Sequence, residues 1–244
     1  MKQLDWWHTI ELPDGTVTPG WWDLRATAAG MPWPSDLPGM RCLDVGTMDG
    51  FWAFEMERRG AAEVVATDVR DRNEHDSPTV HPRRRSPPIS GAPFAVAAER
   101  RGSQVSYRDV SVYDLRAEDI GNFDLIFAGY VLQMLRDPLR ALDALHGVCR
   151  GSLIVLDTVS LPLELLPAPL ARLNARRGQL EWFVFNRRGL RQAMTMMGFS
   201  VDAVTSVLRD HSGPAVTRQG LSLRTRLRHA TGVLGRSAAV RGRA

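Results

Sequence analysis

From residue 41 to residue 207, short β-type apolar runs alternate with amphipathic runs of helical period, and this alternation constrains the fold more than any other feature of the chain. Residues 41–45 (RCLDV) read as a strand ending at Gly46. A helix follows over about 50–59, with Phe51/Phe54 and Trp52/Met56 spaced three and four apart and Gly60 as its stop. Residues 63–67 read as a second strand closed by Asp68, 104–108 as a weak third, and 123–128 as a fourth whose nearly continuous apolar content predicts burial on both faces. Asp137-Pro138 supplies an N-cap and a first helical residue, and Leu139, Leu142 and Leu145 are expected to face the core. A fifth strand is expected at 153–156, a helix from Asn186 to Gly198 with Leu190, Met194 and Met197 on one stripe, and a sixth strand at 199–207. The recurrence predicts an α/β fold: a doubly wound, mostly parallel sheet with helices on both faces, in a single domain.

Composition removes other classes. Over 244 residues, 44% are hydrophobic and 24% charged, enough to bury one core and unlike disordered, collagen-like or disulfide-stapled chains. No apolar run approaches the ~18 residues of a membrane span, and the first residues lack a basic-then-apolar leader, so a soluble cytoplasmic protein without membrane contact is expected. Cys42 and Cys149 read as buried free thiols, and the scattered histidines show no metal-ligand spacing, so no metal is expected. Three segments frame the plan: an aromatic-rich N-terminal cover (1–36), a ligand-binding domain (37–208) interrupted by a flexible Pro/Arg-rich loop (71–91), and a basic tail (209–244). Six of the seven tryptophans lie in the first 52 residues, as packing for the sheet or as walls of a pocket. The tail holds eight arginines and one acid against a net charge of +4 for the whole chain, so the body is acidic. With few large apolar residues, the tail is expected to be partly disordered and needed for neither fold nor chemistry; its charge makes a nucleic-acid contact conceivable.

The sharpest chemical signal is Leu43-Asp44-Val45-Gly46-Thr47-Met48-Asp49-Gly50, a strand end, a tight turn and a helix start. Glycine at 46 allows close backbone approach to a ligand, and the helix start offers unpaired N–H donors. Asp68 ends the second strand 22 residues after Gly46, where a carboxylate can accept hydrogen bonds from a ribose diol. A dinucleotide fingerprint would need glycine at 48 and 51, where Met48 and Phe51 stand, so a pyrophosphate is poorly supplied. Asp44 would repel phosphate but suits a cationic amino group. Ribose, amino group and no phosphate describe S-adenosylmethionine better than NAD.

The stretch 43–52 together with Ala66-Thr67-Asp68 resembles motif I and the acidic loop of class I S-adenosylmethionine-dependent methyltransferases, whose fold is Rossmann-like. More narrowly, residues 7–15, 111–115, 129–132 and 136–139 resemble a subgroup similar to bacterial tRNA wobble-uridine 5-oxyacetic acid (carboxy)methyltransferases. The resemblance implies that Gly46 and Gly50 line the cofactor, Asp68 holds the ribose, Ser111, Val112 and Tyr113 flank the adenine, and Gly129 sits beside the methionine portion. Met48 replaces the usual second glycine, so the backbone there is expected to differ. The lysine and tyrosine that would grip a carboxylated cofactor are missing; Gln133 and Leu135 stand after the fourth strand, which favours plain methyl transfer. His8, the one histidine inside a resembling motif, is the candidate general base, with Tyr130 and Asp157 at strand ends near the expected cleft. The function expected is methyl transfer to an N or O nucleophile of a small molecule or natural-product intermediate. The alternatives are a tRNA acceptor and a non-catalytic cofactor-binding regulator.

Overall fold

The computed structural model describes residues 4–35, 37–70, 76, 91–174, 181–215 and 233–244. In chain order the elements are β1 (Trp22–Asp23), α1 (Arg25–Ala29), β2 (Arg41–Val45), α2 (Phe51–Arg58), β3 (Glu63–Asp68), α3 (Ala92–Arg101), β4 (Ser106–Asp109), α4 (Ala117–Ile120) and β5 (Phe123–Gly129). They continue as α5 (Pro138–Val148), β6 (Cys149–Thr158), α6 (Leu161–Glu164), β7 (Ala171–Leu173), β8 (Phe183–Phe185), α7 (Arg187–Met196), β9 (Ser200–Val204), β10 (Leu208–Ser212) and β11 (Val233–Arg243).

The main sheet runs β1-β10-β11-β6-β5-β2-β3-β4, with β9 also on β11, while β7 and β8 form a separate hairpin. The strands β4, β3, β2, β5 and β6 are parallel, and β11 joins β6 antiparallel. Strand order reverses between β2 and β5, because the chain moves outward through β3 and β4 and then returns to the other side of β2. Such a switch point opens a crevice at the carboxyl ends of the strands.

Side chains alternate between two layers. Leu43, Val65, Leu153 and Val155 face α5 and α7 on one side of the sheet. Cys42, Val64, Phe127 and Ile154 face α2, α3 and the N-terminal lead, with Trp6, Ile10 and Leu12 buried, on the other. This is the doubly wound, Rossmann-like single domain that the alternation predicts. No helix among the described residues is long and apolar enough to cross a membrane.

Three expectations are corrected, and one helix went unread. Leu139 is exposed, and the buried stripe of α5 passes through Ala141, Leu142, Leu145 and Val148. A spacing of three drifts about 60° around the helix at each step, which carries Leu139 off the core face. Helix α3 begins at Ala92, with Pro93 in its first turn, straight after the Pro/Arg-rich stretch, which hid it from a reading of period. The expected sixth strand ends early, at Val204 as β9, and β10 begins only at Leu208, beyond the expected range. Most consequentially, the tail does not hang free: β10 and β11 belong to the sheet, and Ala238, Ala239 and Val240 are fully buried. A strand covered on both faces needs only small side chains where the layers press close, so a count of large apolar residues misjudged it. Arg241 and Arg243 pair with Asp202 on the neighbouring β9 at 2.9 and 3.0 Å. Residues 216–232, and the expected loop 71–91 apart from Asp76 and Gly91, lie outside the described residues.

Candidate functional site

The glycine turn sits at the switch point. The amides of Gly46 and Thr47 both donate to the Thr67 carbonyl, at 2.8 and 3.0 Å, locking the turn onto the end of β3. Gly46 takes φ 68°, and a Cβ there would lie 2.7 Å from Val131 Cγ2, so only glycine lets the loop after β5 descend onto the turn. Met48 adopts φ 53°, the left-handed conformation that a glycine would take freely and that costs another residue about 1–2 kcal/mol. Its amide donates to Asp68 Oδ2 at 2.7 Å, which holds it there. Contrary to expectation, the missing glycine leaves the backbone in a glycine-type conformation, with the acid supplying the restraint.

A cleft opens over this turn. Gly46, Asp68, Ser111, Val112 and Tyr113, all singled out in the sequence, line it together with Met48, Val131 and Leu135. Asp68 Oδ1 also accepts from the Val69 amide at 2.8 Å. Burial pushes this carboxyl up to about 6, with the charges of Asp109 and Asp49 adding to the shift and the two amides opposing it. Ser111 Oγ accepts from the Tyr113 amide at 3.3 Å and so caps the short turn Val112–Asp114. The Tyr113 hydroxyl donates to Asp76 Oδ2 at 2.7 Å. Asp76 also pairs with Arg136 at 3.0 Å, and its carbonyl accepts from Trp182 Nε1 at 2.6 Å. Nothing in the sequence singled out Asp76, which stands alone in a stretch without periodicity.

Asp44, Gly50, Gly129 and His8 are not among the residues that line the cleft. Asp44 lies beneath the turn, where its Oδ2 accepts from the Ala53 amide at 3.0 Å and ties β2 to the first turn of α2. Burial raises its carboxyl to about 7. Gly50 precedes α2 at φ 93°, and Gly129 ends β5 beside Trp52.

His8 is buried, and its Nδ1 is paired with Asp49 Oδ1, while Asp49 Oδ2 accepts the amides of Trp7 and His8 at 2.8 and 2.7 Å. One acid in the glycine turn therefore fastens the N-terminal lead to the site. Gly20 supports the arrangement from behind, since a Cβ there would fall 2.1 Å from the His8 carbonyl carbon. Asp49 escaped the sequence reading, although an acid one residue from the ligand turn was the available signal. With the ring N–H at Nδ1 given to a carboxylate, a neutral imidazole keeps its lone pair at Nε2, the form a general base requires.

Buried polar atoms at this end of the sheet without a hydrogen-bond partner among the described residues are Trp52 Nε1 and both oxygens of Asp157. Buried polar groups are normally paired, so such a set marks where a polar ligand completes the structure. A cleft lined by Gly46, a ribose-competent acid and unpaired polar atoms fit S-adenosylmethionine, whereas Met48 occupies a position where a dinucleotide fingerprint needs glycine. The described residues hold no group of three or more His, Cys, Asp or Glu that could bind a metal ion.

The comparisons agree with this geometry. A methyltransferase domain model matches residues 21–204. The ubiquinone biosynthesis O-methyltransferase of Xanthomonas campestris pv. campestris is 32% identical over 130 residues, covering 51% of this chain and 45% of the relative. The chain thus spans about half the length of the curated relatives it matches. The structure of Burkholderia thailandensis 1,6-didemethyltoxoflavin-N1-methyltransferase, with 1,6-didemethyltoxoflavin and S-adenosylhomocysteine bound, is 17% identical with a TM-score of 0.52, covering 84% of this chain and 71% of that one. The [4+2]-cyclase SpnF is 17% identical with a TM-score of 0.57, covering 84% and 75%. At these identities the structures show the shared fold, and the cyclase shows that the fold alone does not fix a reaction. The narrower resemblance to tRNA wobble-uridine enzymes finds no support, because the curated relatives carry the names of O-methyltransferases of ubiquinone biosynthesis. On the match across residues 21–204, the chain belongs to the methyltransferase domain family, in the class that takes its methyl group from S-adenosylmethionine.

Proposed function

We propose that the protein methylates a hydroxyl oxygen of a small molecule, with His8 as general base and Asp49 as the residue that orients it. The observation that carries this reading is the buried His8–Asp49 pair built on the turn that also walls the cleft. When bound, the cofactor supplies a methyl group on a positively charged sulfur. Amines and thiolates need little help to accept it, whereas a hydroxyl must lose a proton as its oxygen attacks. Nε2 of His8 takes that proton, and Asp49 stabilises the imidazolium that forms. In this reading Asp68 accepts hydrogen bonds from the ribose hydroxyls, while Val112 and Tyr113 flank the adenine. The names of the curated relatives favour oxygen over nitrogen as the acceptor atom.

The test is transfer of tritiated methyl groups from S-adenosylmethionine into a panel of phenols and catechols, with bulk tRNA in a parallel reaction. Label is expected in the small molecules. His8→Ala should lower kcat by 10²–10⁴-fold, a size typical of general bases, with S-adenosylhomocysteine affinity within about twofold of the wild type. Label confined to tRNA, or full activity in His8→Ala, would overturn the reading.

A further inference from the structure

The mechanism above leaves several buried ionisable groups unused, Asp44, Asp157 and Asp210 among them. Asp157 is the penultimate residue of β6 and is 1% exposed. Neither of its oxygens has a hydrogen-bond partner among the described residues. The amide of Gln133 lies close enough to favour its charged form without reaching bonding geometry, and burial drives the carboxyl well above its ordinary range. The ionisable groups acting with it, Glu181 and Tyr130, bring no positive charge.

Its place in the fold explains why it matters. Strand alternation puts Asp157 on the face of Leu153 and Val155, in the layer that contains the cleft residues Val112, Val131 and Leu135. It follows Leu156, which is in register with Gly129 and whose carbonyl accepts from the Tyr130 amide at 2.6 Å. It precedes Thr158, whose amide donates to Gln133 Oε1 at 3.1 Å. The carboxyl therefore stands at the carboxyl end of the sheet, beside the loop after β5, where open α/β sheets bind their ligands. A buried carboxyl without partners weakens a fold, and one at such a place is explained by a ligand that completes it.

We propose that Asp157 is a specificity-determining residue of the acceptor subsite, its carboxyl accepting a hydrogen bond from a hydroxyl group of the small molecule to be methylated. This rests on the hydroxyl-acceptor reading above. A side chain that only held the fold together would be bonded to it; among the described residues this one is not.

The test compares the full-length wild type with Asp157→Asn and Asp157→Leu, each loaded with S-adenosylhomocysteine. Both variants should melt at the wild-type temperature or above, since no native hydrogen bond is lost and an unpaired polar group is removed. Affinity for S-adenosylhomocysteine should stay within about twofold. For the phenols or catechols that the wild type labels, kcat/KM should fall about 3–10-fold in Asp157→Leu, the loss expected for one uncharged hydrogen bond, and less in Asp157→Asn, which keeps an acceptor oxygen. Undiminished kcat/KM, or melting temperatures lowered by more than about 5 °C in both variants, a shift of roughly 1 kcal/mol or more, would overturn the proposal. If the wild type labels none of the probes, the hydroxyl-acceptor reading has failed on its own. The melting comparison then decides for Asp157: stable variants uphold a ligand-facing carboxyl and destabilised ones overturn it.

Discussion

Asp68 concentrates structure and, in the proposed reading, cofactor binding in one carboxyl. It restrains Met48, closes the turn and lines the cleft, and burial holds it at about 6, well above its ordinary 3.8. A carboxyl raised in this way contributes stability that is complete below its unfolded value and disappears as pH rises through its folded value. The ligand-free protein should therefore gain stability from this group as pH falls from 7 toward 4. Cofactor binding should run the other way, because the ionised form is the better acceptor for ribose hydroxyls. Calorimetric affinity for S-adenosylhomocysteine should decline below pH 6, by up to about tenfold per pH unit. Asp68→Asn should bind about 10–100-fold more weakly at pH 8 and lose that slope. An identical pH profile in wild type and variant would remove Asp68 from the ribose site. The turn and its acid were legible in the sequence because strand, glycine and acid are ordered along a short stretch of chain. Asp49 and Asp76 were not, because their partners lie 41 residues away at His8 and 37 and 60 residues away at Tyr113 and Arg136.

At the scale of elements, the site depends on how closely the loop after β5 approaches the turn after β2. Gly46 allows that approach, and Tyr130, at φ 60°, turns the chain away from β5 while its hydroxyl donates to Asp210 Oδ1 at 2.7 Å. Ser237 Oγ donates to the same oxygen at 2.6 Å, so β10 and β11 brace the loop from the far side. Gly46→Ala adds both a strained φ and a methyl group against Val131, and should cost about 2–4 kcal/mol in urea unfolding while abolishing detectable cofactor binding. Adding Val131→Ala removes the contact and leaves the strain, so the double variant should recover part of the loss. No recovery would mean that the backbone conformation alone decides the position. The elements themselves were mostly readable: β2, β3, β5 and α2 lie where period and punctuation put them. The β7–β8 hairpin went unread because its strands are only three residues each, too short for an alternation to register.

For the whole molecule, the decisive element is the last one. β11 lies between β6 on one side and β9 and β10 on the other. A chain ending at residue 232 would expose the edge of β6 and lose the buried Ala238–Val240 stretch. That truncation should abolish the cooperative thermal transition and the near-ultraviolet dichroism of packed aromatics. A truncated protein that melts cooperatively and still binds S-adenosylhomocysteine would show that the composition of the tail had been the better guide. By itself the sequence determined the α/β class, the parallel core of the sheet and the position of the ligand turn, because those follow from local period and from a glycine and an acid set by strand ends. Only the tertiary structure decided that the end of the basic tail is an inner strand, that His8 meets Asp49, and that Asp157 is buried without a partner among the described residues. Each of these depends on which distant segments share a face, and small or charged residues carry no local signal of being covered by a neighbour far along the chain.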